Sequence, residues 1–153
     1  MLDSLRELVS KKLEAKQGPD AREHSVRLAT AALLVEMVRA DTQTLWEEAT
    51  ALHGLLGRHF KLAPDEVRGL IAAAEREADA AVSLHGYTKL MNDSLDAAEK
   101  AQVLELMWRV ALADRKLNRY EEHLVRKVAD LLHLPNSELV RTKLKVEEAL
   151  ART

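Results

Sequence analysis

Two acidic pairs recur in this chain, in the same order and at the same interval: Asp41 with Glu48, and Asp114 with Glu121. Each Asp closes an apolar run, LLVEMVRAD from Leu33 to Asp41 and LMWRVALAD from Leu106 to Asp114. Each Glu has an acidic neighbour, Glu47 in the first copy and Glu122 in the second. Carboxylates are the natural ligands of hard divalent cations, which require several oxygens around one point. An Asp at a helix end and a Glu in the first turn of the next helix can converge on one spot. Asp41, Glu48, Asp114 and Glu121 are therefore candidate ligands for Ca²⁺, Mg²⁺ or Mn²⁺, with Glu47 and Glu122 beside them. The placement carries a cost. An Asp at a helix C-terminus faces the negative end of the macrodipole, at ~0.3–1 kcal/mol each. A second reading needs no ion: each Asp accepts backbone N–H bonds across its own turn, and each Glu completes a capping box at the positive end of the helix it opens. The short Asp-to-Glu interval, without alternating acids around a glycine, excludes an EF-hand.

Other chemistry is sparse. The histidines His24, His53, His59, His85, His123 and His133 form neither an HExxH motif nor an i, i+4 pair, so they are read as surface or boundary residues and no zinc site is expected. No serine or threonine lies in a nucleophile-elbow context, and no glycine-rich phosphate loop exists. A carboxylate enzyme would need a third convergent group, which the sequence does not offer, so a non-enzyme is expected. The absence of cysteine excludes disulfides and thiol chemistry and fits a reducing compartment. A formal net charge of −2 without a basic stripe argues against nucleic acid as a partner. Arg141, Lys143 and Lys145 make a small basic patch, read as a solvated face. Trp108, inside an apolar helix, is expected in the core. Trp46 and Tyr120, each in a first helical turn, either cover the turn below them or stand exposed as partner anchors.

The elements that must position these residues are helical. Alanine, leucine, glutamate and arginine dominate, and strand-forming residues are few. The fold class expected is all-α, a single domain over 2–150 with seven to eight helices. An amphipathic helix is expected from about Asp3 to Ala15 (the accessory segment 1–16), docking on its own domain in preference to a partner helix or a membrane surface. Gln17 to Asp20 is a connection, and a central helix follows from about Ala21 to Arg39. Thr44 to Glu47 has capping-box spacing and opens a helix carrying Leu52, Leu55, Leu56 and Phe60. Pro64 opens the next, to about Val82, and a short helix covers Tyr87 to Met91. Asp96, Asn118 and Pro135 open the last three. The longest apolar run, Ala29 to Val38, is interrupted by Thr30 and Glu36 and falls short of the ~20 residues that span a bilayer. With no signal peptide at the N-terminus, a soluble cytoplasmic protein is expected.

The acidic turns belong to a longer echo. Aligning Asp41 with Asp114 sets Leu34 against Met107, Met37 against Val110 and Val38 against Ala111; further on, Lys61-Leu62-Ala63-Pro64 echoes His133-Leu134-Pro135. The chain reads as two related helix–turn–helix halves, 21–82 and 84–150. Glu36 aligns with Arg109, and halves packed face to face would pair them.

These residues resemble the TerB-like family of tellurite-resistance proteins, in its short stand-alone branch. Its pattern is an apolar helix ending in Ala-Asp, then an acidic helix start, matched here by Ala40-Asp41 with Glu48 and Ala113-Asp114 with Glu121. Leu84-His85-Gly86-Tyr87-Thr88 and Tyr120-Glu121-Glu122-His123-Leu124-Val125 add to the likeness. The glycine that commonly follows the Asp is Thr42 in one copy and Arg115 in the other, which removes the residue best suited to wrapping an ion. The resemblance implies an all-helical, stress-associated module that binds a divalent cation through these acids, a protein partner such as a membrane-associated stress protein, or both. A homodimer and a purely structural interaction domain are the alternatives it leaves open.

Overall fold

The computed structural model describes residues 19–40, 45–79, 84–113 and 118–152. Seven helices lie within them: α1 (Pro19–Ala40), α2 (Leu45–Phe60), α3 (Pro64–Asp79), α4 (Leu84–Ser94), α5 (Ala97–Ala111), α6 (Arg119–Leu131) and α7 (Asn136–Ala151). No strand occurs among the described residues, so the chain is all-α. The accessory helix expected before residue 17 lies outside them. No described helix is long and apolar enough to cross a membrane.

α1 begins at Pro19, inside the stretch expected as a connection. Proline suits a first helical turn, because its fixed φ is already helical and its missing N–H would have no partner there. From Leu28 to Val38 every residue except Glu36 is buried. A helix apolar all round needs neighbours on every side. α1 has them in α2, α3, α4, α5 and α6. Thr30, also buried, returns its hydroxyl to the Val26 carbonyl at 2.8 Å, so its polarity is met within the helix.

α5 is the second organising helix. Asp96 caps it: its carboxylate accepts from the Glu99 N–H at 2.8 Å, and the Glu99 carboxylate accepts from the Asp96 N–H at 3.0 Å. That is the capping box its spacing predicted. Trp108 is buried as expected, and its indole N–H donates to Thr142 Oγ1 on α7 at 3.2 Å.

The two parts of the chain pack by one scheme. α1 contacts α2 and α3 as α5 contacts α6 and α7, and the cross contacts α1–α6 and α2–α5 match as well. α2 and α6 also end alike. Lys61 and His133 take left-handed φ angles of 55° and 60°. The following N–H groups close the cap, Leu62 to the Gly57 carbonyl and Leu134 to the Ala129 carbonyl, both at 3.0 Å. This is the Schellman arrangement, built twice on the echoed residues. α4 is the additional element. It runs from Leu84 to Ser94, longer than the Tyr87–Met91 expected, and buries Tyr87, Thr88 and Met91. Asn92 Nδ2 ties it to the Leu131 carbonyl of α6 at 2.9 Å.

Candidate functional site

Glu48 and Glu121 occupy matching places. Glu48 precedes Leu52, Leu55 and Leu56 on the buried face of α2; Glu121 precedes Val125 and Val128 on the buried face of α6 and Leu132 just past its end. Each acid is thus the first position of an apolar stripe at helical spacing, and the helix that buries the stripe carries the carboxylate inward with it. Both side chains are 0% exposed. A carboxylate removed from water must be met by hydrogen bonds, counter-charge or a cation.

The other sequence candidates divide. Glu122 is only half-buried and makes an i, i+4 ion pair with Arg126 at 3.3 Å, so it serves the surface of α6. Glu47 lies in the first turn of α2, with its side chain outside the described set; Asp41 and Asp114 fall outside it altogether. Among the described residues no group of three or more His, Asp or Glu side chains is arranged to hold a metal ion. The capping role expected around the second turn falls to Asn118, whose Oδ1 accepts from the Tyr120 N–H at 2.7 Å. Tyr120 is 72% exposed, so its ring does not fold over the turn.

A second polar cluster escaped the sequence reading. Glu36 on α1 and Glu77 on α3 both have carboxyls held above the usual range by burial, with Arg39 acting against the shift at Glu36. Tyr87 on α4 is buried, and that burial, reinforced by the charges of Glu77 and then Glu36, pushes its phenol far up. One Glu77 oxygen and the Tyr87 hydroxyl are buried without a hydrogen bond among the described residues. Nearby, Arg39 pairs with Asp79 at 2.9 Å across the ends of α1 and α3. The cluster therefore sits at the end of α1 that leads into Asp41. Two signals pointed to it. Glu36 is the one charge in the run from Ala29 to Val38, and Glu77 falls on the stripe of Val67, Leu70, Ile71 and Ala74. The pairing of Glu36 with Arg109 does not form: among the described residues no ion pair joins them.

The histidines fall where expected, with His24 half-buried and the other five exposed. The C-terminal basic residues are engaged. Arg141 pairs with Glu138 at 3.2 Å, Lys145 with Glu105 at 2.9 Å, and Lys143 stands 5.6 Å from the centre of the Trp108 ring.

With this geometry in hand, residues 27–144 match the family model described as Tellurite resistance protein TerB. No curated protein and no solved structure matches the chain.

Proposed function

The chain belongs to the TerB tellurite-resistance family, and on that footing we propose that it is a non-enzymatic, stress-associated module of the cytoplasm. It binds a divalent cation, a protein partner, or both, through its two acidic helix junctions. The observation that carries this reading is the pair of fully buried carboxylates, Glu48 and Glu121, at the heads of matching helices. One further point supports it. Each buried Glu also follows an Ala-Asp pair at the same interval, which puts a second carboxylate close by in sequence. Ca²⁺, Mg²⁺ and Mn²⁺ are the ions whose oxygen preference fits such a ligand set. A protein partner, a membrane-associated stress protein among them, and self-association are the other routes by which the same junctions act.

The rival is a structural interaction domain without an ion, favoured by the lack of a three-acid group among the described residues. Titration of the purified chain with Ca²⁺, Mg²⁺ and Mn²⁺, followed by melting temperature, separates the two. At a hundredfold excess over Kd the cation reading expects about 2.7 kcal/mol of added stability. The Asp41→Asn, Asp114→Asn double variant should lose that gain while melting like the parent in ion-free buffer. An unshifted melting temperature in all three ions leaves the interaction domain standing. A double variant destabilised equally with and without ions assigns the aspartates to their own turns.

A further inference from the structure

A groove runs along the seam of α2 and α5, passes Ala113 beside the second acidic junction, and reaches Leu150 near the end of α7. Leu55 and Leu106, both nearly buried, supply apolar floor. Arg58 and Arg109 border both of its compartments. One, of about 540 Å³, also meets His59, Gln102 and Glu105; the other, of about 410 Å³, meets Thr50, Ala51, Ala113 and Leu150. Both compartments are open to solvent and combine an apolar floor with a few placed polar groups, as small-molecule sites do.

No described carboxylate pairs with the two arginines of the groove. Among the described residues neither guanidinium makes an ion pair or a hydrogen bond, whereas Arg27, Arg39, Arg126 and Arg141 each hold a carboxylate. Among the described residues the one acid on the groove wall, Glu105, is engaged by Lys145 at 2.9 Å. Desolvation lowers the pKa of the His59 imidazole, against the pull of Glu105. Gly54, one turn before Arg58, leaves room for the guanidinium to lie back along α2; a Cβ there would stand 3.1 Å from Nη1. Two guanidinium forks at one place match the oxygens of a phosphate or carboxylate, and a divalent cation would be repelled.

We propose that this groove binds a soluble anionic amphiphile, an alkyl phosphate or carboxylate whose head group sits between Arg58 and Arg109 and whose chain lies along Leu55 and Leu106. The proposal rests on the two guanidinium groups and the apolar floor and stands without the cation reading.

The test is a titration of the full ¹⁵N-labelled chain with hexyl phosphate and, separately, inorganic phosphate, followed by amide shifts. Hexyl phosphate should give saturable shifts centred on Leu55 to His59 and Gln102 to Arg109. It should bind about tenfold or more tightly than inorganic phosphate, because only it fills the apolar floor. Arg58→Gln and Arg109→Gln should each weaken it about tenfold, the loss of a charge-assisted contact. Arg58 is exposed, so its variant keeps the parental melting temperature and decides the matter even if Arg109→Gln destabilises the fold. Absence of saturable shifts, equal affinity for the two probes, or undiminished binding by Arg58→Gln would each overturn the proposal.

Discussion

Glu77 stands where an aliphatic side chain would fit. It continues the stripe of Val67, Leu70, Ile71 and Ala74 into the interior, and burial raises its carboxyl pKa. The linkage follows from that direction. A carboxyl whose pKa is higher folded than unfolded holds its proton longer in the native state. Its contribution to stability is complete below the unfolded pKa and is lost as pH rises through the folded one. Glu77→Gln, neutral at every pH, should therefore raise the melting temperature in neutral buffer and change it little in mildly acidic buffer. Melting curves across that pH interval check it, and a variant whose effect does not vary with pH would refute the linkage. At this scale the sequence was half legible. Glu36 and Glu77 each interrupt an apolar pattern in plain view, yet nothing in their spacing says that both face Tyr87, which lies on a third helix. That meeting is made by tertiary packing. The same limit explains the expected pairing of Glu36 with Arg109: alignment of two repeats gives equivalence, and contact depends on how the helices roll.

At the scale of elements, the helices declared themselves through apolar periodicity, and their ends were harder to read. α4 was expected over Tyr87 to Met91 only, and Gly86, Asn92 and Asp93 around that span are weak helix formers. Burial of Tyr87, Thr88 and Met91 against the core outweighs that weakness and extends the helix to Ser94. The caps after α2 and α6 show the reverse case. The echo of Lys61-Leu62 and His133-Leu134 was visible, while the left-handed backbone it encodes was hidden, since neither position holds glycine. A side chain in that conformation costs about 1–2 kcal/mol, and glycine relieves it at an entropic cost of roughly 0.5–1 kcal/mol in the unfolded chain. His133→Gly should then stabilise the protein by a few tenths to about 1 kcal/mol. Urea denaturation measures this directly, and a destabilised variant would mean that the imidazole makes contacts outweighing the strain.

For the molecule as a whole, α1 was readable as a central helix because its second half leaves almost no polar face, whereas α5 buries a broad apolar face and keeps Gln102, Glu105 and Arg109 on the other side. The all-α class followed from composition. Less legible were the polar links between layers, since a threonine in a helix gives no hint of its partner. Thr142 accepts the Trp108 indole N–H at 3.2 Å and returns its own hydroxyl to the Glu138 carbonyl at 2.8 Å, so one side chain fastens α7 onto α5. Thr142→Val keeps the volume and leaves the indole N–H buried without that acceptor. It should cost about 1–3 kcal/mol of unfolding free energy. Adding Trp108→Phe should leave the Thr142→Val increment much smaller, and a double-mutant cycle with no coupling would show that the bond carries no stability.

Enclosure of α1 has a consequence for spacing. Ala29, Ala31 and Ala32 are all fully buried in its middle, and side chains so small let the surrounding helices approach its backbone. α1 therefore works as a gauge block: its girth sets how far apart α3 and α4 stand from α5. A single added methylene there has no free direction in which to go and would be felt on opposite sides of the fold at once.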